Sequence, residues 1–228
     1  MRALLFALLL AVAAPTQSAP DPFADAPFAV RSEASDPDVH IGTYRTAEAV
    51  LYVARSGPRL VLTLAGQDAF DAFASAPVDT RRNDRAEALL RDAFAGDTDR
   101  IAEALPAHRR EAGTRDFARL LGAFTGRLGT FTSVQALGTM ATPDGAATYV
   151  RVRFADGEEL LKLKWRDGHL ALITRSPLPQ VTAHPVRGDE DRFAVLGADG
   201  EPATILVFDD DGMTARSAGH TLIAARSF

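Results

Sequence analysis

Residues 148–174 read TYVRVRFADGEELLKLKWRDGHLALIT, three runs of alternating apolar and polar residues separated by Asp156-Gly157 and Asp167-Gly168. Alternation with period two marks strands that bury one face, and Asp-Gly is a favoured two-residue hairpin turn. Three antiparallel strands follow. With both turns centred on the Asp-Gly pairs, Val150 faces Leu163, Val152 faces Leu161, Leu163 faces Leu172 and Trp165 faces Leu170, which makes one sheet face apolar. The other face then carries Tyr149, Arg151, Arg153, Lys162 and Lys164, with Arg151 opposite Lys162. Phe131 to Met140 adds a preceding strand through the Pro143-Asp144-Gly145 turn.

Upstream, between Arg81 and Gly129, the period becomes helical. Ala86, Leu89, Leu90, Ala93 and Phe94 share a stripe closed by Gly96, and Ile101 and Leu105 mark a short helix ended by Pro106. Phe117, Leu120, Leu121, Phe124 and Leu128 recur at three- and four-residue spacing, which predicts a helix from an N-cap at Thr114 to Gly129 with that face buried. Further out, Ile41 to Arg45, Ala49 to Arg55 and Arg59 to Leu64 are strand-like. A turn at Ser56-Gly57 sets Val53 against Leu60 and Leu51 against Leu62.

At the N-terminus, Met1-Arg2, the apolar run Ala3 to Ala14 and the small residues to Ala19 have the three-part layout of a secretory signal peptide, with cleavage expected after Ser18. The apolar run is shorter than the ~20 residues needed to span a bilayer. The expected location is periplasmic or secreted. Residues 19–40, rich in proline, read as an extended lead. The chain has no cysteine, which excludes disulfides, thiol catalysis and a lipid-anchoring cysteine, so no membrane anchor is expected after cleavage. Its net charge of -5 argues against nucleic acid as a partner.

Helices followed by an antiparallel meander, together with Leu128-Gly129-Thr130-Phe131 and Trp165-Arg166-Asp167-Gly168-His169-Leu170, resemble the cone-shaped fold of nuclear-transport-factor-like (NTF2-like) and cystatin-like domains over residues 80–178. The two ends carry a second resemblance. Gly42-Thr43-Tyr44, Val50 to Leu64, Arg192-Phe193-Ala194-Val195 and Ile205 to Gly212 follow the order of the β-rich accessory domain of penicillin-binding-protein-like serine hydrolases. Together these imply an α+β chain: helices packed on a curved antiparallel sheet, inserted in a small split antiparallel β-domain of residues 41–79 and 180–228.

Neither resemblance brings a catalytic signature, because Ser-x-x-Lys and Gly-x-Ser-x-Gly are both missing from the chain. His40, His108, His169, His184 and His220 show no metal-ligand spacing, and Asp209-Asp210-Asp211-Gly212 lacks the alternation and closing glutamate of a calcium loop, so no metal or other cofactor is expected. The cone-shaped resemblance implies a pocket between sheet and helices, lined by Phe117, Leu121, Phe124, Tyr149 and Trp165, with Asp92 and Asp116 as further polar candidates. These observations lead to an exported non-enzymatic binding or protein-interaction module, accessory to serine hydrolases by its resemblance. The alternative is a small isomerase or hydrolase acting in that pocket. The expected partner is a small apolar ligand or, through the basic face of Arg151, Arg153, Lys162 and Lys164, an acidic protein.

Overall fold

The computed structural model describes residues 37–74, 76 and 78–227. The signal-peptide reading of residues 1–18 and most of the extended lead lie outside the described residues. Among the described residues half are strand and 27% are helix, so the fold is mainly β, which corrects the α+β expectation.

Eight strands form a closed antiparallel barrel in the order β1-β12-β11-β10-β9-β8-β3-β2. They are β1 Gly42–Arg45, β2 Val50–Ser56 and β3 Arg59–Ala65 from the first part of the chain. From the last part come β8 Gln180–Val186, β9 Asp189–Leu196, β10 Pro202–Phe208, β11 Gly212–Ser217 and β12 His220–Ser227. Closure is made where Tyr44 of β1 pairs with both Leu51 of β2 and Arg226 of β12. An eight-stranded barrel leaves an interior just wide enough for side chains to fill. Tyr44, Leu51, Leu62, Phe193, Leu206 and Met213 fill it, each essentially without solvent contact.

The crossover from β3 to β8 carries the α-helices and the second sheet. First comes α1 Gln67–Ala72, whose buried Phe70 joins the barrel core and whose Ala72 carbonyl accepts from Thr204 Oγ1 at 3.0 Å. Then α2 Arg81–Phe94, α3 Asp99–Ala104 and α4 Arg110–Leu128 precede a four-stranded sheet, β4 Phe131–Thr142, β5 Gly145–Phe154, β6 Gly157–Arg166 and β7 His169–Arg175. The helices cover one face of this sheet, where Leu90, Phe117, Phe124, Val150, Leu163 and Trp165 share a core.

The opposite face overturns the resemblance to a cone-shaped NTF2-like or cystatin-like domain. Tyr149 and Ala147 point away from the helices into the barrel's cluster, and Tyr149 meets Phe70 edge to face at 5.6 Å. This part of the sheet is thus packed between helices and barrel, while Arg153 and Lys164 on the same face stay exposed, and the sheet forms no free-standing cone. The resemblance to a serine-hydrolase accessory domain falls with it, since the fold supports neither named domain.

Two turns shift the expected register. Phe154 pairs with Gly157, so the β5-β6 turn is Ala155-Asp156, and Val150 faces Leu161 while Tyr149, not Arg151, faces Lys162. The cause is tertiary: Ala155 N donates to Thr130 O and Asp156 N to Leu128 O, which holds the tip against the α4-β4 loop. In β2-β3 the turn is Gly57-Pro58, with Val53 opposite Leu62 and Leu51 opposite Leu64. Gly57 takes φ 61° and proline fixes φ near −65° at the next position, the order that a II′ hairpin uses. The Asp167-Gly168 turn has both residues at positive φ and sets Trp165 against Leu170; a bulge between Lys164 and Trp165 then moves Leu163 onto Ile173, and Leu172 is exposed. Helix α4 starts four residues before Thr114, because Arg110, Glu111 and Ala112 extend it from a 3-10 turn at Ala107–Arg109.

Candidate functional site

The five residues expected to line a pocket do not converge. Phe117, Leu121, Phe124 and Trp165 are buried together on the helix side, whereas Tyr149 faces the barrel, where burial pushes its phenol pKa upward. Trp165 is packed on every side: its Nε1 donates to Thr148 Oγ1 at 2.8 Å, and the Arg85 guanidinium lies 5.1 Å from its ring centroid. Phe117 lines a crevice of about 110 Å³ with Ile101, Leu105, Asp116 and Leu170. Asp92 instead pairs with Arg100 at 2.8 Å.

A larger concavity lies where barrel and sheet meet. It encloses about 630 Å³ between the β1-β2 turn, with Arg45, Ala47 and Glu48, and the β4-β5 edge, with Gln135, Gly138 and Arg151. Two glycines let the walls approach. Gly66, at φ 100°, donates its N–H to Leu137 O at 2.8 Å, and a Cβ there would collide with the Glu48 carbonyl. Gly138, at φ 130°, leaves no room for a Cβ, which would sit 2.7 Å from the Phe70 ring.

A polar network stiffens the cleft floor. Gln67 Oε1 accepts from Thr139 N at 2.8 Å and from Asn83 Nδ2 at 3.0 Å, while Gln67 Nε2 donates to Thr139 O at 2.9 Å and Asp71 Oδ1 at 2.8 Å. Thr139 Oγ1 donates to Asn83 Oδ1 and shares a 2.7 Å hydrogen bond with Thr148 Oγ1, which carries the chain on to Trp165. The Gln67 amide is therefore saturated, and Asn83 uses its Oδ1 and one Nδ2 hydrogen in the same network. At the same edge, Glu87 Oε1 accepts the N–H of Ala136 at 2.7 Å.

Arg151 was legible as part of a basic face, but its neighbours across the cleft were not. Gln67 and Asn83 carry no sequence signal for this role, since they pair with backbone and with each other. The remaining hollows are shallower in chemistry: one of about 400 Å³ runs between α2 and α3, and one of about 760 Å³ lies over the turns at Gly197–Pro202 and Ser217–His220. Among the described residues no three His, Asp or Glu side chains gather as a metal site. No family model, curated protein or solved structure matches this chain.

Proposed function

We propose that the chain is an exported, non-enzymatic binding module whose small-molecule ligand occupies the cleft between barrel and sheet. The observation that supports this reading is the cleft itself, about 630 Å³ with walls drawn from both units. Ligand sites favour such junctions, are typically ~300–1,000 Å³ in volume and use a few convergent polar groups to fix orientation. Here the convergent groups are the guanidinium groups of Arg45 and Arg151 and the amide of Gln135, all on paired strands, so the lining is pre-formed. Export is supported by the pattern of residues 1–18, and N-terminal sequencing of protein from the native host should begin near Ala19.

The test uses Ala47, an exposed residue of the β1-β2 turn that lines the cleft mouth. Ligand-observed NMR with a library of small fragments should find binders to the full chain that Ala47→Trp no longer binds, with the fold unchanged by circular dichroism. Fragments that bind both proteins equally would place the ligand elsewhere.

A further inference from the structure

The cleft carries more positive charge than its surroundings neutralise. Arg151 rises from the middle of β5 with its side chain only 26% exposed, which withdraws most of the cation from water. Its nearest carboxylate is Glu158, whose Oε2 lies 3.6 Å from Arg151 Nε and 3.9 Å from Arg153 Nε. Both distances exceed a hydrogen bond, and one half-exposed carboxylate is shared by two guanidinium groups. Arg151 Nε is buried and has no hydrogen-bond acceptor. A buried donor left unmet is costly, so such a group is satisfied when an acceptor arrives.

Across the cleft, Arg45 ends β1 with an exposed side chain that lines the cleft. Glu48 is the single carboxylate in the lining and is exposed in the turn. The Gln67 amide is committed to the floor network, and their charge makes the two guanidinium groups the strongest donors in the lining. Guanidinium presents a planar fork that matches the two oxygens of a carboxylate or phosphate.

We propose that this cleft takes a small anionic ligand, carboxylate or phosphate, held between Arg151 and Arg45; the inference rests on the cleft being the binding site. Glu158 offsets part of the Arg151 charge from 3.6 Å. An incoming anion outcompetes it because it can approach Arg151 at hydrogen-bond distance, which Glu158 does not.

The experiment is isothermal titration calorimetry of the full chain with succinate and with inorganic phosphate, using neutral succinamide as control. Saturable binding of either anion identifies which acceptor chemistry fits. Arg151→Gln and Arg45→Gln should each weaken that binding about tenfold or more, the loss expected for a charge-assisted pair. Arg187→Gln, an exposed cation of the β8-β9 turn outside the cleft lining, should leave it unchanged. Should Arg151→Gln fail to fold, the exposed Arg45 position carries the test by itself. Equal binding by parent and both arginine variants overturns the inference. If neither anion binds while neutral fragments still bind the parent but not Ala47→Trp, the anionic inference fails and the cleft remains a binding site; if nothing binds there, both fail.

Discussion

The side chain of Gln67 pairs with the main chain of Thr139 as one strand residue pairs with another, accepting from its N–H at 2.8 Å and donating to its C=O at 2.9 Å. β4 is an edge strand of its sheet, and an exposed edge leaves main-chain groups open to unwanted pairing. Gln67 covers that edge at Thr139, beside Gly66 on the Leu137 carbonyl and Glu87 on the Ala136 N–H. Because α1 also places Phe70 in the barrel core, the same glutamine fastens the sheet to the barrel and sets the cleft floor.

Gln67→Leu should therefore cost about 2–4 kcal/mol, since it leaves two main-chain groups of Thr139 and the Asn83 Nδ2 donor without their partner. Urea denaturation of the variant and the parent measures the difference. A loss below about 0.5 kcal/mol, the range of ordinary surface changes, would show that water replaces the amide freely.

Trp165 is 2% exposed and is the single tryptophan of the chain. Native fluorescence should be blue-shifted and move to the red on unfolding. Trp165→Ala should lose about 3–5 kcal/mol and Trp165→Phe about 1–2, the smaller figure reflecting retained packing and a lost bond to Thr148. Emission at the solvent wavelength in the folded protein would contradict the packing.

His40 lies at the barrel end opposite α1, stacked on Phe208 at 4.5 Å, and its backbone carbonyl accepts from the Tyr44 hydroxyl. Burial pushes its pKa below the ordinary 6.5, outweighing the hydrogen bond to the Glu190 main chain and the nearby Asp191 charge that favour the cation. The unfolded chain then binds the proton more readily than the folded one. Stability is at its plateau above pH 6.5 and falls as pH drops through 6.5 toward the lower folded value. His40→Phe should flatten this part of the pH-stability curve measured by thermal melting between pH 7.5 and 5. An identical slope in the variant would assign the acid sensitivity to other groups.

Glu159, 7% exposed, joins α4 to the sheet by accepting from Arg127 and, at 2.7 Å, from Arg175. Both arginines are about half exposed, so solvent screens the pair and discounts its worth. Glu159→Gln should cost about 1–2 kcal/mol and lose part of that difference in high salt. Denaturation at two ionic strengths distinguishes this from a neutral substitution.

What the sequence displays depends on how local the cause is. The strands around Asp167-Gly168 and the burial of Trp165 follow from alternation and one turn, all within a few residues. The Ala155-Asp156 turn departs from the Asp-Gly rule because its N–H groups are taken by Leu128 and Thr130, a contact that no turn preference encodes. Barrel closure has still less local expression, since Thr43 meets Ser227 from the other end of the described chain. The helical stripe of Phe117, Leu121 and Phe124 is apolar in a way that fits a pocket lining as well as a core. Only the packing of Trp165 and Val150 against them makes it a core. Arg151 is visible as a charge, but its orphaned Nε and its position opposite Arg45 arise from the meeting of two sheets.

The most direct test of the account is an amide chemical-shift map of the isotope-labelled full chain titrated with the tightest-binding probe, anion or fragment. The account predicts perturbations concentrated at Glu48, Gly66, Gln67, Gly138 and Arg151, the lining where barrel and sheet meet. Shifts centred on Phe117, Leu121 and Trp165 with the cleft amides unmoved would contradict it and return the ligand to the helix side of the sheet.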